Sequence, residues 1–115
     1  MIYRVDIDGT LCNKTFGKYE DATPIVRHIH KINKLYDEGN KIILWTARGV
    51  LKGKDWREFT KRQVEEWGVK YHEILFDKPH FDVLFDDKAR CISRQPIISF
   101  FLFIKQVKKC CGWSI

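Results

Sequence analysis

A short run in the middle of the chain, Lys41-Ile42-Ile43-Leu44-Trp45-Thr46, limits the fold more than any other stretch. Its apolar residues are continuous rather than alternating. Such a strand is buried on both faces, which is the habit of parallel sheets covered by helices. Parallel strands need long crossovers between them, usually helical. The flanking segments supply these. Upstream, Thr23-Pro24 reads as an N-cap and first helical residue, and Ile25, Ile29, Ile32 and Tyr36 recur at helical spacing. Val26 and Leu35 widen that stripe, which leaves His28 and His30 for solvent, and Gly39 provides the stop. Downstream, Asp55 and Glu58 form a capping pair for a second helix that ends at Gly68, with Trp56, Phe59 and Trp67 facing the core.

Ile2-Tyr3-Arg4-Val5-Asp6 reads as a further strand, as do Glu73 to Phe76 and Val83 to Phe85. Gly9 to Asp21 and Gly49 to Lys54 read as loops, and the segment from Pro96 to Lys109 as a helix. Strands alternating with helices predict an α/β fold, a mostly parallel sheet flanked by helices. The length of 115 residues suits a single domain over 1–115, with 96–115 a C-terminal segment whose docking the sequence leaves open.

In open sheets of this kind, ligands bind beyond the carboxyl ends of the strands. The polar residues gather there: Asp6 and Asp8 after the first strand, Thr46 after the second, Asp86 and Asp87 after the last. Two carboxylates at i and i+2 on a strand-to-loop turn can divide the work of phosphoryl transfer. One attacks phosphorus and holds a hard cation; the other moves a proton. Mg²⁺ needs only one or two carboxylates beside the substrate phosphate, because it keeps several waters. Asp86 and Asp87 would complete the metal site. Thr46 offers a hydroxyl and a backbone N–H to a phosphate oxygen, and Lys78 a cation. Arg48 is a candidate substrate contact.

These residues fall in a known order. Val5-Asp6-Ile7-Asp8-Gly9-Thr10-Leu11 resembles the first signature of the haloacid dehalogenase (HAD) phosphatase superfamily, DxDGT(L/V) after a hydrophobic strand. Ile43 to Gly49 resembles the second, a strand ending in Thr or Ser. Lys78-Pro79 resembles the third, and Val83-Leu84-Phe85-Asp86-Asp87-Lys88-Ala89 the fourth. The resemblance implies a Rossmann-like HAD fold and a Mg²⁺-dependent phosphohydrolase working through an aspartyl-phosphate. Asp6 would be the nucleophile and a metal ligand. Asp8 would be the general acid/base, its backbone carbonyl on the metal. Thr46 and Lys78 would hold the phosphoryl group, Asp87 would bind the metal directly, and Asp86 would be a second ligand or an orienting partner. The commoner fourth signature carries a further acidic residue a few positions on; here Lys88 to Cys91 follow instead.

The stretch from WTARG to DDKA is closest to short HAD proteins without a cap domain, including those associated with capsular or surface polysaccharide genes. By that association the substrate is a phosphorylated sugar or small metabolite. Neither Thr10 to Thr23 nor Thr46 to Lys78 has room for a cap domain, so the site is expected to be open, suited to a large substrate end or to a second subunit that closes over it.

The rival readings each rest on a feature. A net charge of +6 allows a nucleic-acid end (3′) phosphatase without favouring it, because the basic residues are dispersed rather than blocked. A non-catalytic metal- or phosphate-binding module would need no intact Asp6 and Asp8. The run Pro96 to Ile104 is too short to span a bilayer, and a tail resting on a membrane is the lesser reading. Cys12, Cys91, Cys110 and Cys111 include no CxxC pair, which argues against structural zinc and for a reducing, cytoplasmic setting; a strand at the start leaves no signal peptide. Gly9 comes too early for a calcium-binding EF-hand loop, and Gly49 to Asp55 is too short for a P-loop. Cys12 is read as structural.

Overall fold

The structure, a computed structural model, describes residues 1–94. It divides into two compact units, Met1–His80 and a second beginning at Phe81. The expected helix from Pro96 to Lys109 lies outside the described residues.

The first unit runs β1 (Ile2–Val5), α1 (Val26–Asp37), β2 (Lys41–Trp45), β3 (Val50–Leu51), β4 (Lys54–Asp55), α2 (Arg57–Glu66) and β5 (Glu73–Leu75). Strands β1, β2 and β5 form a small open parallel sheet in that order, with β2 central. Val5 pairs with Leu44, and Trp45 with Leu75. The carboxyl ends of the three strands therefore lie level along one edge. Ile42, Ile43 and Leu44 are all buried, as a central strand covered on both faces requires. Val5, Ile7, Leu11, Ile29, Ile32, Val64 and Val69 complete the core. The chain is thus an α/β protein built on a parallel sheet.

Helix α1 begins later than Thr23-Pro24 suggests. Its N-cap is Ile25, without a side-chain cap. The reason is a competing pairing. Asn13 N–H donates to the Thr23 carbonyl and Ile25 N–H to the Leu11 carbonyl, so residues 23–25 run extended against the loop that follows β1. The buried face also differs from the expected stripe: Val26 is exposed, and His28, expected in solvent, is buried with Ile29 and Ile32.

The stretch read as a loop from Gly49 to Lys54 contains an antiparallel hairpin, β3–β4, in which Val50 pairs with Asp55. Lys52 and Gly53 both take positive φ (52° and 78°) at its turn, the geometry that matches the twist of a two-residue hairpin. At the start of α2, Asp55 accepts the Arg57 N–H at 3.0 Å. Trp56 is buried, while Phe59 and Trp67 are half-buried.

In the second unit the described residues hold one short 3₁₀ turn, Ile92–Arg94. Val83 to Phe85, expected as a strand, forms none: all three are exposed, Phe85 almost wholly so. Apolar composition favours a strand only where a pleated, half-buried surface receives it.

Candidate functional site at the carboxyl edge of the sheet

Asp6 directly follows β1 and keeps about a third of its side chain exposed, at 34%. The chain then turns sharply. The Ile7 carbonyl accepts the N–H groups of Thr10, Leu11 and Cys12, and Gly9 N–H donates to the Cys12 carbonyl at 2.8 Å. Gly9 takes φ +84°, and a Cβ there would come within 2.9 Å of Cε on Lys14. The positive φ is what favours glycine here, since the end of the flexible Lys14 side chain can move aside. The turn folds the DxDGT segment so that Ile7, Leu11 and Cys12 point into the core while Asp6 and Asp8 stay part-exposed.

Lys78 comes to Asp6 from beyond β5. Its Nζ lies 3.2 Å from Asp6 Oδ1, its backbone N–H donates to the Thr46 carbonyl, and its ammonium lies 5.4 Å from the Trp45 ring centre. Burial pushes the Asp6 carboxyl above its ordinary value, with the charge of Lys78 pulling the other way. A half-buried carboxylate that gains from a nearby cation is suited to hold a metal ion or to face a phosphoryl group.

Thr46 is buried at the end of β2. Its backbone N–H, expected to face a phosphate, instead donates to the Leu75 carbonyl at 3.0 Å and continues the β2–β5 pairing. The hydroxyl accepts the Arg48 N–H at 3.0 Å, which leaves the hydroxyl proton available for donation.

Arg48, expected as a substrate contact, has no exposed side-chain surface, and its donors are engaged within the first unit. It donates from Nε to Asp8 Oδ2 at 2.9 Å and from Nη2 to Asp8 Oδ1 at 2.8 Å, a bidentate pair. Nη1 donates to Gln63 Oε1 at 2.6 Å and to Thr60 Oγ1 at 3.4 Å, and the Tyr19 ring centre lies 4.4 Å from the guanidinium. Cys12 Sγ packs 3.6 Å from Asp8 Oδ1, and burial pushes its thiol up to about 12. An inert, buried thiol agrees with a structural Cys12.

The first unit thus brings together Asp6, Asp8, Thr46, Arg48 and Lys78. Asp86 and Asp87 belong to the second unit. There both are exposed, and Asp86 Oδ1 accepts the Lys88 N–H at 2.8 Å. Thr60, Gln63 and Tyr19 were missed at the sequence level. Thr60 and Gln63 are polar residues on the buried side of α2, a signal visible only once the helix's inner face is known.

Among the described residues no three His, Cys, Asp or Glu side chains gather as a ready-made cation site. Asp6 alone still fits Mg²⁺, which takes as few as one carboxylate beside a phosphate and waters. Each Asp8 oxygen already accepts one bond from Arg48, so Asp8 has only its remaining lone pairs for a cation or a proton. Among the described residues, no helix is long and apolar enough to cross a membrane.

No family model matches the chain, and no curated protein matches it. A crystal structure of a target protein from Vibrio cholerae is similar, with a TM-score of 0.74 and 22% identity over 94% of this chain and 97% of that one. That likeness speaks to the fold, and the chain shares the overall α/β architecture of that protein.

Proposed function

We propose that the chain is a HAD-type phosphohydrolase that removes phosphate from a small anionic metabolite, such as a phosphorylated sugar, with Asp6 as nucleophile. The observation that carries this reading is the Asp6–Lys78 pair, 3.2 Å apart at the carboxyl edge of a parallel sheet, with the Thr46 hydroxyl after the neighbouring strand. A nucleophile, a cation and a hydroxyl donor at adjacent strand ends are the parts that phosphoryl transfer asks of a protein, because the work is mostly positioning and charge stabilisation.

In this reading Asp6 attacks phosphorus, the P–O bond to the leaving group breaks, and an aspartyl-phosphate forms. Water then attacks the phosphorus and frees phosphate and Asp6. Asp8 passes a proton to the departing oxygen and takes one from the water. Lys78 and the Thr46 hydroxyl offset charge on the transferring oxygens. Asp6 would hold Mg²⁺, which when bound offsets negative charge on the phosphate and brings it to the nucleophile. The net charge of +6 suits an anionic substrate.

Phosphate release from a generic aryl phosphate tests the reading. Mg²⁺-dependent release is expected, lost with chelator and lowered ~100-fold or more by Lys78→Met. Release that ignores both chelator and Lys78→Met would sink it.

A further inference from the structure

Helix α2 meets the site chiefly through the amide of Gln63, with Thr60 at longer range. Gln63 is buried on its inner face. Its Oε1 accepts from Arg48 Nη1 at 2.6 Å, and its Nε2 donates to the Tyr19 carbonyl at 2.9 Å. A guanidinium only donates and a carbonyl only accepts, so one orientation of the amide satisfies both neighbours. All three nitrogens of Arg48 are engaged. Nε and Nη2 hold the two Asp8 oxygens, and Nη1 is set by Gln63, with Thr60 as a longer second partner. A planar fork held at both ends cannot turn without breaking a bond. Solvent offers no substitute partner, because the Arg48 side chain is fully enclosed.

We infer that Gln63 is a positioning residue: through Arg48 it fixes the orientation of the Asp8 carboxylate, so that α2 sets the aim of the proton-transfer group. The role given to Asp8 rests on the phosphohydrolase reading; the link from Gln63 to Asp8 rests on geometry alone. Loss of the Gln63 acceptor leaves Nη1 with only the 3.4 Å contact to Thr60. The fork then settles elsewhere and carries Asp8 with it. Because Asp8 acts in the chemical step, the loss falls on kcat rather than on KM.

The test uses the full chain with two readouts. One is hydrogen exchange at the Arg48 Nε–H, followed in a ¹H–¹⁵N spectrum. The other is Mg²⁺-supported hydrolysis of an aryl phosphate. Gln63→Met, similar in length but without an acceptor, is expected to lose Nε–H protection and ~10-fold in kcat at unchanged KM. Gln63→Glu keeps the acceptor for Arg48 but loses the donor to the Tyr19 carbonyl, and is expected to recover Nε–H protection and part of kcat. If Gln63→Met does not fold, Gln63→Asn, which falls short of Arg48, takes its place with the same expectation. In an Asp8→Asn background the Gln63 change is expected to add no further loss. Unchanged Nε–H protection in the acceptor-less variant would overturn the inference, as would a full additional loss in the Asp8→Asn background. A wild type that hydrolyses nothing, yet loses Nε–H protection on Gln63→Met, would defeat the phosphohydrolase reading and leave the positional link standing.

Discussion

Arg48 ties several groups of the first unit together: Asp8, Gln63 and Thr60. It joins the loop after β1 to α2 with no exposed surface of its own, and its loss strands Gln63 Oε1 and one side of Asp8. Breaking a fully buried pair costs roughly 3–5 kcal/mol. Asp8 keeps 27% of its side chain exposed and can recover some solvation, so Arg48→Met is expected to cost about 2–3 kcal/mol, read from the urea midpoint. A loss below about 0.5 kcal/mol would mean the contact contributes little to folding. Cys12 gives a second residue-level prediction. Burial and the nearby Asp8 charge raise its thiol to about 12, so at pH 8 almost none is thiolate and none is accessible. Iodoacetamide is expected to alkylate exposed Cys91, whose thiol a hydrogen bond from Ser93 lowers, and to spare Cys12 until the protein unfolds. Peptide mapping checks both. The nearest pieces of this site, Asp6 and Asp8, were legible because their strand, turn and spacing are local. Arg48 was legible as a candidate site residue but not as buried: its partner Gln63 lies fifteen positions away, and the aromatic stripe of Trp56, Phe59 and Trp67 marks the helix's inward face without saying which side chain its polar residues meet.

At the scale of elements, β2 could be read directly, since a central parallel strand writes its burial into consecutive residues. Helix α1 could be read as a helix but not at its start. Thr23-Pro24 is a good local cap, yet residues 23–25 bond to the loop after β1, and a tertiary ladder outweighs a capping preference worth about 1 kcal/mol. The β3–β4 hairpin hid for the opposite reason. Its two-residue turn uses Lys52 at positive φ, where an Asn or Asp would have announced it. Val83 to Phe85 shows the limit of apolar composition without a partner strand. The end of α2 carries its own test. Gly68 takes φ +76°, and a Cβ there would touch nothing within 4 Å. Gly68→Ala therefore isolates the backbone cost of the left-handed conformation, and is expected to destabilise by about 1 kcal/mol in urea or thermal unfolding. No change would mean that the turn relaxes to a negative φ.

For the molecule as a whole, the sheet does the organising. Three parallel strands end level, and that edge gathers residues from positions 6, 46 and 78 that share no local sequence. A basic chain with a half-buried carboxylate beside a lysine suits an anionic substrate, and the proposed nucleophile, Asp6, is the feature on which the functional account turns. The direct test is to trap it. Protein quenched during turnover of an aryl phosphate with Mg²⁺ is reduced with borohydride, which converts an acyl phosphate of aspartate to homoserine, and the peptides are sequenced by mass spectrometry. The account predicts homoserine at position 6, absent from Asp6→Asn, which also turns over nothing. Turnover that continues in Asp6→Asn, or an adduct at Asp8 with none at Asp6, would contradict it.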